Sequence, residues 1–92
     1  MRNIVYFDLE TQRSAEEAGG WSKISAMGMS VGVTYSTQQG GYKIYAERYV
    51  NELINALQRA DLVVGFNILR FDYEVLHGYT ALDLRQLPTL DM

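Results

Sequence analysis

Apolar residues occur in short runs in the first half of the chain, and these runs predict strands. Residues 4–7 are apolar and rich in β-branched and aromatic side chains, which predicts a first strand over residues 3–9 that is buried on both faces. Residues 26–35 and 42–45 alternate loosely between apolar and polar positions. Because turn-forming residues separate these two stretches, they predict a β-hairpin.

The second half of the chain combines helical spacing with further strand-like runs. Apolar positions recur at helical spacing from Val50 onward, which predicts an amphipathic helix over residues 50–59. Three further elements are predicted: a buried strand at residues 62–66, a helix at residues 71–77 with Gly78 as its C′ residue, and the start of a fifth strand at residues 89–91. The order βββαβα(β) predicts one α/β domain over residues 1–92, with strand 62–66 parallel to the first strand in a mixed sheet.

The predicted helices are few for such a sheet. Parallel strand pairs normally need helices on both faces of the sheet, and only about two helices are predicted here. We therefore expect one sheet face to lack cover. Since an uncovered apolar face tends to self-associate, we also predict a homo-oligomer that hides this face.

A polar stretch over residues 11–23 separates the first strand from the hairpin, and it predicts a long loop with at most one helical turn. Residues 14–17 fit a capping box, and Gly19 and Gly20 provide a stop. Trp21 follows in the same loop. We expect this large aromatic side chain to anchor the loop onto the core, although it could instead stack on a nucleobase.

Composition narrows the chemistry that the chain can perform. The 92 residues include no cysteine and one histidine, His77, so disulfides, thiolate sites and polyhistidine zinc sites are excluded and a bound metal must have oxygen ligands. We interpret His77 as a helix-end or surface residue rather than an acid–base catalyst. No apolar run approaches the ~20 residues that span a bilayer, so we expect no membrane association and a cytoplasmic location.

The net charge of −3 disfavours a domain that grips nucleic acid by phosphate neutralisation alone. It does not exclude a nuclease, because an acidic cluster presents positive charge once metal ions are bound.

Two carboxylates follow the first apolar run. Asp8 and Glu10 are two residues apart on the predicted strand, so they would point to the same face with Cα atoms roughly 7 Å apart. A divalent metal ion could sit between them, because a hard cation relieves the repulsion between neighbouring carboxylates. The alternative is a pair of solvated acids at a strand end. A second D-x-E at residues 72–74 shows how common the motif is.

A third carboxylate lies where the strand at residues 62–66 breaks and a helix begins. Asp72 would be the second or third residue of that helix and would face the end of the neighbouring strand. The alternative is that an acid in the first helical turn simply complements the helix dipole.

Together these two segments resemble a known pair of motifs. YFDLET at residues 6–11 and GFNILRFD at residues 65–72 resemble the first and second exonuclease motifs of the DEDD-type 3′–5′ exonucleases, a group with the ribonuclease H-like fold. The family pattern is an apolar run into D-x-E-T, followed by G-(aromatic or His)-N-x-x-x-F-D. The hairpin, the helix and the strand start at residues 89–91 also follow the family's order, so the resemblance covers nearly all of the chain.

The resemblance implies a ribonuclease H-like mixed sheet and metal-dependent hydrolysis of phosphodiester bonds at a single-stranded 3′ end of nucleic acid. In that family four acids hold two Mg²⁺ or Mn²⁺ ions, one activating the attacking water and the other stabilising the leaving oxygen. Residue by residue, the resemblance supplies three of these ligands: Asp8, Glu10 and Asp72. It also places Thr11 and the backbone around Leu9 near the terminal nucleotide, and Asn67 near the substrate strand.

The third motif of the family, a Tyr or His followed by the fourth Asp, has no counterpart in this sequence. Asp91 corresponds to a position in the fifth strand rather than to that ligand. The resemblance therefore predicts the front portion of such a nuclease, truncated before the C-terminal helices and inactive or nearly so by itself.

Two alternatives remain open at this stage. Residues 7–11 also look like the D-x-D-x-T nucleophile loop of phosphoaspartyl phosphatases, although Glu10 departs from the second Asp and residues 65–72 then have no role. A non-catalytic interaction module, supported by the incomplete helical cover, is the second alternative.

Overall fold

Five strands form one mixed sheet in the computed structural model, which describes residues 2–92; Met1, the first residue of the predicted domain, lies outside the described part. The strands are β1 (Ile4–Thr11), β2 (Met29–Ser36), β3 (Gly41–Ala46), β4 (Leu62–Gly65) and β5 (Thr89–Asp91). Their spatial order is β3-β2-β1-β4-β5. β2 is antiparallel to β1 and β3, whereas β4 is parallel to β1 and β5. The predicted α/β class, the mixed sheet and the strand order along the chain are confirmed.

Helical segments are short apart from one. They comprise α1 (Ala15–Ala18), α2 (Val50–Arg59), α3 (Tyr73–Leu76), a π-helical turn (Ile68–Asp72) and 3₁₀ turns at Trp21–Ala26, Glu47–Tyr49 and Leu84–Gln86. α2 has the predicted bounds and buries the predicted apolar stripe. Within residues 2–92 no helix combines the length and hydropathy needed to cross a bilayer.

The helical segment predicted at residues 71–77 begins earlier than expected, at Ile68, and its first turn is π-helical. The reason is a contact from the end of β5, where the Asp91 carboxylate accepts the backbone N–H groups of Ile68 and Leu69 at 3.1 and 3.2 Å. This contact satisfies two donors at the start of the helical segment, which otherwise lack intrahelical partners. Asp72 is consequently the last residue of the π turn, not the second or third of an α-helix.

The capping box predicted after β1 is present. Ser14 Oγ accepts the N–H of Glu17 at 3.1 Å, and Glu17 Oε1 accepts the N–H of Ser14 at 2.8 Å. Gly19 ends α1 with a left-handed φ of 108°. Gly78 follows the C-cap residue His77 and is therefore the C′ residue, as predicted, but its φ is not positive. It is needed for a close approach instead, because a Cβ at this position would overlap the carbonyl oxygen of Ser25.

β1 shows how the sheet is buried. Val5, Phe7 and Leu9 are buried, whereas the intervening side chains Tyr6 and Asp8 are exposed. The prediction that this strand is buried on both faces is wrong, because α2, α3 and the π turn all pack on one side. We call that side the covered face. Its core joins buried residues of the sheet to those of α2 and α3, among them Phe7, Leu53, Leu57, Val63, Tyr73 and Leu76.

The other side of the sheet, which we call the open face, has no helical cover within residues 2–92. Strand pairing places the following side chains on it: Tyr6, Asp8, Glu10, Val33, Tyr35, Tyr42, Ile44, Val64 and Leu90. Tyr42 and Ile44 are 79% and 71% exposed. An open face was predicted from the small number of helices. The homo-oligomer that would cover it stays a prediction.

Candidate functional site

Asp72 is the most deeply buried acid of the described chain. Its side chain is only 3% exposed, and Oδ2 accepts the backbone N–H of Leu9 at 3.2 Å. The last β1–β4 pair is Tyr6 with Val64, so Leu9 lies beyond the end of the β4 ladder. The Asp72 carboxylate thus bonds to β1 at a point where the neighbouring strand no longer does. The π turn delivers it there, and such turns are frequent at functional sites.

Burial, and after it the negative charge of Asp8, raise the pKa of Asp72 to about 7. The N–H of Leu9 acts in the opposite direction but does not offset these effects, and Asp91 adds a smaller repulsion. Of the ion pairs formed by residues 2–92, none includes Asp72, Asp8 or Glu10. A buried carboxyl without a cation beside it is costly to ionise, and a bound cation would relieve that cost.

Asp8 and Glu10 both lie on the open face and both are exposed. They share a face as predicted, but β1 extends to Thr11, so both are inside the strand rather than at its end. Asp8 follows an apolar run but is exposed on the open face, and it is therefore solvated. Asp72 is the acid that is costly to ionise, because it is buried.

The structure brings Asp8 and Asp72 close enough for their charges to interact. Glu10 is not among the charges that shift Asp72. Across the described residues 2–92, no three His, Cys, Asp or Glu side chains are arranged as a ready metal-binding group. Two oxygen donors are therefore gathered, and their chemistry fits a hard divalent cation. Glu10 is not part of the Asp8–Asp72 pair, although it lies on the open face together with Asp8.

The other predicted site residues lie around this pair. The Leu9 side chain is in the core and its N–H is bonded to Asp72. Thr11 is half-buried at an irregularity in the β1–β2 ladder. Asn67 is exposed, adopts a left-handed φ of 55°, and directly precedes the π turn as its N-cap residue. Leu9 and Thr11 belong to β1, which carries Asp8, and Asn67 precedes the π turn, which carries Asp72.

Asp91 is a residue whose importance at the site was not predicted from the sequence. Its two contacts to the start of the π turn fix the segment that ends in Asp72. The available signal was an acid, Asp91, at the end of β5. The helical segment that follows the neighbouring parallel strand, β4, begins nearby. Using this signal required knowing that β4 and β5 are neighbours.

Trp21 was expected to anchor its loop on the core, and this expectation is wrong because 71% of the residue is exposed. Its ring centroid lies 6.5 Å from that of Phe71, with the two planes at 57°. A groove of ≈ 340 Å³ opens here, lined by Trp21, Ile24, Asn67, Arg70 and Phe71. We call it the tryptophan groove.

A second, larger groove of ≈ 470 Å³ lies on the open face beside Asp8. Aromatic side chains dominate it, including Tyr35 and Tyr42 in an edge-to-face pair with centroids 4.8 Å apart. Asp8 therefore lies beside an aromatic surface. Such a surface is suited to contact a flat apolar group of a ligand.

His77 lies apart from these acids and has a structural role. Its Nδ1 is 2.9 Å from Glu74 Oε1, and its Nε2 accepts the N–H of Leu84 at 3.0 Å. The ring thus connects the end of α3 to the 3₁₀ turn before β5, which agrees with its interpretation as a helix-end residue.

Comparison with known proteins supports the fold. The family B DNA polymerase from the hyperthermophilic archaeon Pyrobaculum calidifontis matches 85% of this chain with a TM-score of 0.64 and 15% sequence identity. The matched region is 11% of the polymerase chain, so this chain spans only a small part of that protein's length. No family profile and no curated protein sequence matches the chain. The structure is thus a mixed α/β fold, compatible with part of a ribonuclease H-like fold, and its acidic pair comprises Asp8 of β1 and Asp72.

Proposed function

We propose that the chain carries the metal-binding acids of a 3′–5′ exonuclease of the DEDD type. One observation carries the proposal: Asp72 is buried against β1 beside Asp8 without a cation partner in residues 2–92. The two exonuclease-like motifs of the sequence contain these same acids, and the polymerase with a similar fold is a DNA polymerase by its name.

In the proposed site, Asp8 and Asp72 would hold a divalent ion, Mg²⁺ or Mn²⁺, and Glu10 would contribute a third carboxylate from the same sheet face. Such an ion, when bound, stabilises negative charge on the scissile phosphate and promotes deprotonation of water. In the proposed hydrolysis, the water oxygen would bond to phosphorus as the P–O3′ bond breaks. The terminal nucleotide would leave with a 5′-phosphate, and the O3′ that remains on the strand would take up a proton. Thr11 and the backbone around Leu9 would lie near the terminal nucleotide, and Asn67 would lie near the substrate strand.

The resemblance calls for a fourth carboxylate, and no residue of this sequence matches it. We therefore expect the 92-residue chain to bind the metal ion weakly and to hydrolyse nucleic acid slowly or not at all. Metal binding, rather than turnover, is the property that tests the proposal.

Calorimetric titration with Mn²⁺ at pH 8 provides that test. The parent chain should bind Mn²⁺, whereas Asp8→Asn and Asp72→Asn should each abolish detectable binding because each removes one charged donor. Glu52→Gln is the matched control, since Glu52 is an exposed acid of α2. Binding by Asp72→Asn equal to that of the parent, or loss of binding in Glu52→Gln, would contradict the proposal.

The phosphatase alternative makes a different prediction about Asp8. A phosphoaspartyl enzyme should be trapped at Asp8 by beryllium fluoride, which mimics a phosphorylated aspartate. The proposed nuclease should show no such trapping. The proximity of Asp72 to Asp8 favours the nuclease, because it gives residues 65–72 a role that the phosphatase interpretation lacks.

The interaction-module alternative predicts neither metal binding nor phosphate chemistry. It would be favoured if the parent bound no Mn²⁺ and still assembled through its open face.

A further inference from the structure

We propose that the tryptophan groove binds an unpaired nucleotide of a single-stranded nucleic acid, with the base stacked on Trp21 and a backbone phosphate at Arg70. This inference rests on the proposed function, since it names where the substrate strand contacts the chain. It assigns roles to two side chains that the exonuclease-like motifs do not define.

The exposure of Trp21 is the first observation that supports the groove. A tryptophan buries more apolar surface than most side chains when it packs, yet 71% of this one is exposed. Its contact with the half-buried Phe71 is a tilted one, at 57°, which leaves the indole face open to another planar group. Nucleobases stack on aromatic side chains regardless of base type.

The charge of the groove is the second observation. Arg70 is exposed and lines the groove, and it takes part in no ion pair of the described chain. Six other Lys and Arg side chains of residues 2–92 also form no ion pair, so Arg70 is distinguished by its position in the groove. A guanidinium group left unpaired beside an aromatic side chain is suited to a phosphate, which it can bind with two parallel hydrogen bonds.

The position of the groove is the third observation. Asn67, Arg70 and Phe71 belong to or flank the π turn, and the N–H of Phe71 donates to the carbonyl of Asn67 at 3.2 Å. The next residue, Asp72, points from the same turn to β1. The groove and the Asp72 carboxyl are therefore both positioned by the π turn.

A single strand is the favoured occupant because the indole needs a base that is not already stacked. In a duplex both faces of each internal base are covered by its neighbours, and exposing one costs a few kcal/mol. A polypeptide segment lying in the groove is the competing occupant, and the experiment below distinguishes it.

Trp21 is the only tryptophan of the chain, so its fluorescence reports directly on the groove. We would titrate the chain with single-stranded oligothymidylate at low ionic strength and in EDTA, which prevents hydrolysis. The expected result is saturable quenching of Trp21 emission, with little quenching by a blunt duplex of oligothymidylate and oligoadenylate. Unchanged emission, or equal quenching by the duplex, would overturn the proposal and leave a polypeptide as the better occupant.

Variants separate the two contacts. Loss of stacking in Trp21→Leu should weaken binding of a dye-labelled oligothymidylate by roughly 5- to 150-fold, as measured by fluorescence anisotropy. Arg70→Ala should weaken binding and reduce the slope of log K against log salt by about 0.7, the value for one phosphate contact with a single strand. Arg70→Lys should restore that slope. Arg59→Ala, the loss of an exposed cation of α2 outside the groove, should bind like the parent. Equal binding by Trp21→Leu and the parent would overturn the stacking role.

The proposals for the groove and for the metal site can be contradicted separately. Asp8→Asn should retain the quenching of Trp21 while it loses Mn²⁺ binding. Intact Mn²⁺ binding without quenching would overturn the groove alone, whereas quenching without Mn²⁺ binding would support the groove and contradict the proposed metal site.

Discussion

Asp72 Oδ2 accepts the backbone N–H of Leu9 at 3.2 Å, although the two residues are 63 positions apart in the sequence. This hydrogen bond fixes a buried carboxyl against the strand that carries Asp8. It holds the two acids close together, which is electrostatically unfavourable when both are charged. This unfavourable energy should be detectable in the stability of the chain and in the pKa of Asp72.

The first prediction concerns stability and pH. The folded chain binds the Asp72 proton up to a pH of about 7, whereas the unfolded chain releases it near pH 3.8, because the pKa is raised on folding. The free energy of unfolding should therefore fall as the pH rises from about 4 to about 7, by up to about 4 kcal/mol, and then level off. Urea unfolding across this pH range measures the effect.

Asp72→Asn should abolish most of this pH dependence. The amide oxygen can still accept the N–H of Leu9, but it carries no charge to desolvate. At pH 8 and without metal, the variant should be more stable than the parent by about 1 to 4 kcal/mol. Glu52→Gln should follow the parent curve. A variant less stable than the parent at pH 8 would show that the buried charge is not costly.

The second prediction concerns Asp91 and the π turn. Asp91→Ala removes the acceptor for the N–H groups of Ile68 and Leu69, which should destabilise the chain by about 0.5 to 2 kcal/mol, as expected for loss of a helix cap. Amide hydrogen exchange at Ile68 and Leu69 should accelerate more than at Leu53 in α2. Asp91→Asn should have a smaller effect because it retains one acceptor. Uniform acceleration throughout the chain would argue against a local role.

The third prediction concerns Gly78. A methyl group at this position would overlap the carbonyl oxygen of Ser25, so Gly78→Ala should destabilise the chain by about 1 to 3 kcal/mol. Gly41→Ala is the matched control, since nothing lies within 4 Å of a Cβ there and its φ is not positive. Thermal unfolding followed by circular dichroism distinguishes the two variants. Equal melting temperatures would contradict the close approach.

The fourth prediction concerns the open face. If the face is covered by self-association, the parent should scatter light as a dimer or larger oligomer, and Tyr42→Lys should shift it toward the monomer. Tyr42 is 79% exposed, so the substitution should cost little in the folded monomer. Tyr49→Lys, at an exposed tyrosine outside the sheet, should keep the parent's size. A monomeric parent would contradict this prediction.

The secondary structure was largely predictable because it depends on local patterns. The apolar spacing of residues 50–59 gave the bounds of α2, and the capping box before α1 was recognisable from four residues. The fold class followed from the order of strands and helices. The resemblance to exonuclease motifs directed attention to Asp8 and Asp72, whose charges interact in the structure.

What was not predicted depends on contacts between distant segments. The solvation of Asp8 follows from the absence of a helix over the open face of residues 2–92, not from the apolar run before it. The π turn depends on Asp91, which is 22 and 23 residues from the two N–H groups that it accepts. The exposure of Trp21 likewise cannot be read from its own loop. Local patterns therefore predicted the strands and helices. The energetic cost of ionising each acid depended instead on its burial, which is set by tertiary packing.

The most direct test of the central claim is the titration of the Asp72 carboxyl, followed by ¹³C NMR with and without Mg²⁺. Without a divalent ion, its pKa should be about 7, because burial and the charge of Asp8 both favour the protonated form. With Mg²⁺ present, the pKa should fall, since a bound cation favours the carboxylate. The Asp8→Asn variant should show a lower pKa without Mg²⁺ and little response to it. An Asp72 pKa that is the same with and without Mg²⁺ would contradict the account.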